Sequence, residues 1–346
     1  MPPPRARPGT SLPAPIHLQF ALAAPETAAT HLSDPCVLAV VDFSLQPLDA
    51  AQAADPRRLR VPLAPMGAGQ LEVWRGDAPV SHGRGGDDIA WAENGTLQFG
   101  AIVIAERPGL DLEAASALAY AQVGRFIAER GYPHVLRIWN YLDGLTEGEG
   151  DQERYRRFCV GRVRGLQQVE ESRLPAATCI GSFGGPRQLL VYWLAAREAG
   201  VAIENPRQVS AYRYPRQYGP QSPTFARAML PPPGSQAPLM LSGTASIVGH
   251  ATTHSGNVQA QLDEILVNLE ALRSEAARLS PSMPAAVGGP GTLLKVYVRD
   301  QEALPEVAAA LDARFGDQVP RLLLHAEVCR RELAVEIEGV LGNPPA

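Results

Sequence analysis

From residue 97 onward the apolar positions follow two rhythms, one of buried strands and one of amphipathic helices, and their order repeats. "LQFGAIVIAE" (97–106) reads as a strand. "AASALAYAQVGRFIAERG" (114–131) reads as a helix, with Ala119, Val123, Phe126 and Ile127 inward and Gly131 as its stop. A strand "HVLRIWNYL" (134–142), a helix "QERYRRFCVGRVRGL" (152–166) and the strands "PAATCIG" (175–181) and "LLVYWLAA" (189–196) follow. The last third has the same succession. It runs through a strand "LMLSGTASIVG" (239–249), a helix from 258 to 279 with Val258, Leu262, Ile265, Leu266, Leu269 and Leu272 on one stripe, and a strand "LLKVYVRD" (293–300). It ends with a helix "LPEVAAALDARFG" (304–316) and the strands "RLLLHAEVC" (321–329) and "LAVEIEGV" (333–340). The pattern predicts an α+β fold: two tandem β-α-β-α-β-β units, 96–205 and 228–346, with helices packed on one face of mixed sheets. Residues 16–95 form a less regular N-terminal segment, and the first 15 predict a disordered tail.

Between the units lies "NPRQVSAYRYPRQYGPQSPTFAR" (205–227), whose prolines exclude a helix or a central strand. A polar, proline-stiffened loop is either a solvated connector or a rigid anion clamp. Its place between two units favours the clamp, because ligand sites concentrate where units meet. Tyr212, Tyr214 and Tyr218 are able to stack on a planar ring, and Arg213 and Arg216 to grip carboxylates.

The 346 residues are 45% hydrophobic and 19% charged, enough for a large core. A net charge of −5 argues against nucleic acid or an acidic membrane as partner. The apolar run 189–196 is too short to span a bilayer and no signal-peptide pattern is present, so a soluble, cytoplasmic protein is expected. Cysteines 36, 159, 179 and 329 form no CxxC pair. His250 and His254 lack a third ligand nearby, and there is no phosphate loop or dinucleotide fingerprint, so no metal and no cofactor are expected. Of 31 basic residues only Lys295 is a lysine, a bias from which no function follows.

The last unit, "LSGTASIVGH…QLDEILVNLEAL…LLKVYVRD…AEVC…VEIEG", resembles the Rid (YjgF-type) deaminases, which are trimers with sites between subunits. Over about residues 90–340 the chain resembles the chorismatases, which join Rid-like units in one polypeptide. The blocks carrying this are "RIWNYLDG…GEGDQERYRRFCVGR", "LPAATCIG", the Arg/Tyr/Pro loop and "SGTASIVGHATTHSG". The generic Rid pattern puts a carboxylate-binding arginine where this chain has Ala177 and Leu323. That departure speaks against imine hydrolysis.

The resemblance implies cleavage of chorismate with release of pyruvate, in a monomer because fused units already cover each other's faces. Glu336 matches the catalytic glutamate, as proton donor to the enol ether. Gly243 and Cys329 mark the branch that rearranges internally to 3-hydroxybenzoate. Other branches yield a dihydroxycyclohexadiene carboxylate or mixed 3- and 4-hydroxybenzoate. Of the candidate arginines 137, 154, 157, 162, 213 and 216, Arg162, Arg213 and Arg216 are assigned to the substrate carboxylates, with Tyr212, Tyr214, Cys179 and Ala245 as further contacts. A non-catalytic ligand-binding protein of the same shape is the rival from another class.

On the residues alone two points stay open. Alternation puts Glu336 and Glu338 on one strand face, which either meets solvent or lines a polar pocket, with Glu338 behind the site or at the surface. A hairpin turning at 330–332 would hold Cys329 near Leu333, roughly 10 Å from Glu336 and on the other face, unless a bulge intervened. Cys329 also fits a small buried core residue.

Overall fold

A computed structural model describes residues 16–67, 69–166, 170–281 and 283–342; the predicted tail lies outside them. The middle third comprises β1 (Leu97–Ala105), α1 (Leu112–Glu129), β2 (His134–Asp143), α2 (Arg154–Leu166), β3 (Ala176–Ser182) and β4 (Gln188–Ala196). The last third comprises β5 (Leu239–Ala245), α3 (Val258–Leu279), β6 (Leu293–Val298), α4 (Leu304–Phe315), β7 (Arg321–His325) and β8 (Val335–Leu341).

The strand order is β1-β4-β2-β3 in one sheet and β5-β8-β6-β7 in the other. In both, the first two pairings are antiparallel and the last parallel. Asp111 caps α1 by accepting from the Ala114 N–H, and Asn257 caps α3 in the same way.

The N-terminal segment is shorter and more irregular, yet it has the same topology. Its strands lie in the order Leu18–Ala23, Leu71–Gly76, Val37–Phe43, Arg58–Val61, again antiparallel, antiparallel, parallel. One short helix, Ala28–Ser33, follows the first strand, and a 3-10 turn, Gln52–Ala54, stands where a second helix would be. Too few periodic positions remained there for the repeat to be seen in the sequence.

The inner faces of the three sheets meet in one core, with Phe20, Leu38 and Trp74 from the first, Trp139, Tyr141 and Tyr192 from the second, and Met240, Tyr297 and Leu324 from the third. The outer faces of the second and third sheets lie under their helices, which bury Trp193 and Val191 on one and Leu294, Val296 and Ile337 on the other. Both faces of β4 are therefore dry, which is why 189–196 reads as unbroken apolar sequence. Each such fully buried side chain contributes roughly 1.5–3 kcal/mol. Gly100 in β1 has no side chain because the Trp193 ring lies directly over it, where a Cβ would collide.

Two sequence expectations change. The strand from Arg321 ends at His325, not Cys329, and no hairpin joins it to β8, since β6 lies between them. Residues 326–334 instead cross from one side of β6 to the other, meeting β3 on the way through a Gly181–Glu327 bridge. Among the described residues no helix is long and apolar enough to cross a membrane.

Candidate active site

Strands β3 and β5, from different units, are joined by side chains. The Ala177 N–H donates to Ser242 Oγ at 2.9 Å, and the Gly243 N–H to Thr178 Oγ1 at 3.0 Å. At Ser242–Gly243 the β5–β8 register slips by one residue, Leu241 pairing with Gly339 but Thr244 with Ile337. Bulges of this kind re-aim groups beside sites. Above the joint lies a cavity of about 440 Å³, with α2 and the 205–227 loop as walls and the 326–334 crossing as roof.

Glu336 and Glu338 face inward because β8 is a central strand whose other face, Val335 and Ile337, is under helices. No solvated face was available to them. Glu336 opens into the cavity, only 4% exposed, with its Oε1 against the Cα of Gly243; a Cβ at 243 would collide with it. Burial, then the charge of Glu338, pushes its carboxyl up to about 8, partly opposed by Arg137, Arg227 and Arg299. It therefore holds a proton at neutral pH. Glu338 behaves in the opposite way. Although it is buried, Lys295 and then Arg137 hold it below the usual carboxylate range. Two neighbouring carboxyls whose proton affinities are pushed apart are the arrangement that acid catalysis uses.

Of the predicted residues, the structure brings Glu336, Gly243, Cys329, Arg162, Tyr214, Cys179 and Ala245 together around this cavity. Cys329 arrives on the crossing segment and not through a bulge in a hairpin. Burial pushes its thiol, and that of Cys159, up to about 12, and raises Cys179 as well, so all three are protonated thiols.

Three predicted contacts do not reach the cavity. Arg213 is 66% exposed and pairs with Glu171 at 2.8 Å; Arg216 is 65% exposed and forks onto Asp151, with Nη1 2.9 Å from Oδ1. Tyr212 stays outside, under the Arg213 guanidinium. The loop contains 3-10 turns at Ala211–Arg213 and Arg216–Tyr218. With three residues per turn, residues two apart point in different directions, so Arg216 leaves the cavity when Tyr218 enters it. Arg137, Arg154 and Arg157 are paired elsewhere, with Glu338, Glu106 and Asp111.

The cationic wall is made instead by Arg162, Arg227 and Arg330. Arg162, 3% exposed, lies over the Tyr120 ring at 5.0 Å, and its Nε and Nη2 have no hydrogen-bond partner among the described residues. Arg227, 4% exposed, donates through Nη2 to Tyr214 Oη at 2.8 Å and to the Val209 carbonyl at 2.9 Å, leaving Nε unpartnered. Arg330 stacks on Tyr218 at 3.9 Å and donates through Nη1 to the His250 carbonyl at 2.9 Å, leaving Nη2 unpartnered. Buried guanidinium N–H groups without acceptors are rare in folded proteins. Arg227 closes the Arg/Tyr/Pro loop and Arg330 follows Cys329 directly. Those adjacencies were the signals the sequence offered.

No group of three or more metal-ligating side chains occurs among the described residues. Where the Rid pattern has an arginine, Ala177 lines the cavity.

Fold and site together define an α+β scaffold of repeated units with an acid-bearing, arginine-walled pocket between two of them. The family description "Chorismatase FkbO/Hyg5-like, N-terminal" matches residues 72–195. The chain is 38% identical over 288 residues to a 3-hydroxybenzoate synthase of Streptomyces hygroscopicus, covering 81% of this chain and 83% of that one. It is also 38% identical over 277 residues to a chorismatase of the same organism, covering 78% of each. A crystal structure of a chorismatase superposes with a TM-score of 0.84 at 32% identity, over 95% of this chain and 100% of that one. The chain belongs to the chorismatase family.

Proposed function

We propose that the pocket binds chorismate and converts it to 3-hydroxybenzoate and pyruvate. The observation that carries this is the presence, around one cavity, of a buried Glu336 whose carboxyl is pushed up to about 8 and of three lining arginines that keep N–H groups without acceptors among the described residues. Chorismate is a dicarboxylate with an acid-labile enol ether. Arg162, Arg227 and Arg330 supply donors for both carboxylates, and the Tyr214, Tyr218 and Phe225 rings wall the cyclohexadiene.

Glu336 gives its proton to the methylene carbon of the enolpyruvyl group. Positive charge then develops at the side-chain carbon and is shared by the ether oxygen; the bond from that oxygen to the ring breaks, so the oxygen leaves as the ketone of pyruvate, and the neighbouring ring hydroxyl oxygen bonds to the ring carbon so freed. As the ring aromatises it loses a proton, which restores Glu336. The two products together contain the atoms of chorismate, so neither water nor a redox partner is consumed. Formation of the dihydroxycyclohexadiene carboxylate would require one water. The bare backbone at Gly243 leaves room beside the acid for the oxygen to move on the ring, and the neutral Cys329 thiol packs there without acting as a thiolate. Inner faces already covered by three fused sheets support a monomer.

The test is loss of the diene absorbance of chorismate. Glu336→Gln, which keeps the shape but has no proton to give, is expected to lose at least about 10²-fold in kcat with KM little changed. Undiminished turnover in a folded Glu336→Gln protein would remove Glu336 as donor.

A further inference from the structure

Behind the pocket lies a set of buried charges drawn from all three sheets. Lys295 on β6 places its Nζ 2.7 Å from Glu72 of the N-terminal sheet and 2.7 Å from Glu338. Arg137 on β2 pairs with the other oxygen of Glu338, and the Tyr297 hydroxyl donates to Glu338 at 2.6 Å. The Thr178 hydroxyl donates to Glu338 Oε2, and Thr178 Oγ1 in turn accepts the Gly243 N–H at 3.0 Å. Two carboxylates and two cations balance here. A third negative charge, on Glu336, would have no spare cation in this set.

We propose that Glu338 is a positioning residue for the reaction: fixed as a carboxylate by Lys295 and Arg137, it anchors the Gly243 backbone through Thr178 and opposes ionisation of Glu336 on the same strand. This rests on the reading of Glu336 as the donor. The groups that face Glu336 from the surrounding elements are Glu338 from its own strand, Arg137 from β2, Cys179 from β3, Arg227 ahead of Ala228–Leu230, Arg299 beyond β6, Tyr155 from α2 and Cys329 from the crossing. Of these only Glu338 is an anion. Chorismate, by neutralising Arg227, would remove one of the cations that oppose it. The N-terminal sheet, which gives no residue to the cavity, then takes part in the chemistry through Glu72, because that carboxylate offsets the second charge of the Lys295–Arg137 pair.

The experiment is the pH dependence of kcat. A donor that must be protonated gives a rate that falls as pH rises through its pKa, and removal of a neighbouring anion lowers that pKa. Glu338→Gln should move the alkaline limb down by about one to three pH units. Glu72→Gln, remote from the cavity, should move it the same way by less. Glu338→Asp, which retains the charge, should leave the limb near its wild-type position. Should Glu338→Gln not fold, the Glu72→Gln profile decides. Profiles that superpose on the wild type while kcat falls evenly at every pH would make the charge set purely structural and overturn the proposal. That outcome, with Glu336→Gln inactive, leaves the donor reading intact, whereas an active Glu336→Gln defeats the donor reading itself.

Discussion

At the scale of single residues, the pocket separates arginines by what their N–H groups meet. Arg162, Arg227 and Arg330 keep donors without acceptors inside a dry wall, while Arg213 and Arg216 sit in water with carboxylate partners. Replacing Arg162, Arg227 or Arg330 by alanine should weaken chorismate binding by about 10²-fold or more, because a buried carboxylate left unpaired costs ~2–5 kcal/mol. Arg213→Ala and Arg216→Ala should stay within about twofold, since exposed ion pairs contribute little. Calorimetric titration in the Glu336→Gln background measures binding free of turnover. A large loss from the exposed pair and none from the buried three would reverse the assignment. That Glu336, Gly243 and Cys329 come together was legible in the sequence through family blocks, and all three line the cavity. The arginine assignment was only partly so, because composition locates a cationic loop while the direction of each side chain depends on turns as tight as 3-10. Lys295, unassigned in the sequence, lies at the centre of the molecule between two glutamates.

At the scale of elements, the site depends on two departures from regular pairing. The slip at Ser242–Gly243 seats the Glu336 carboxyl on bare backbone, and the 326–334 crossing delivers Cys329 and Arg330 over the end of β6. Gly243→Ala should therefore displace the acid and lower kcat by about 10²-fold, with KM little affected, since a shift of about 1 Å at the reacting group is enough for such a loss. Steady-state kinetics decide it. A wild-type kcat would mean that the carboxyl does not work from this seat. The long helices were legible because α3 and α4 carry unbroken stripes; α3 begins and ends where the spacing predicts. The crossing was not, because "RLLLHAEVC" and "LAVEIEGV" both alternate like strands, and alternation does not reveal that a third strand lies between them.

At the scale of the whole molecule, three units of one topology close around a shared core, and one junction between them carries this pocket. The β3–β5 junction has the acid, the bulge and the arginines. At the junction of the last and first units, Ala64–Pro65 pairs along the edge of β7. Strands Ser81–Arg84 and Ala90–Glu93 extend the second sheet beyond β1. A repeat can thus be kept for closure while its sites diverge, and this asymmetry suits one substrate per chain. On the proposed mechanism this pocket turns chorismate into 3-hydroxybenzoate without consuming water. Incubating the purified protein with chorismate in ¹⁸O-labelled water and resolving the products by chromatography and mass tests it most directly. Equimolar pyruvate and 3-hydroxybenzoate, with no label in the ring hydroxyl, is the predicted result; a labelled dihydroxycyclohexadiene carboxylate, or no turnover, would contradict it.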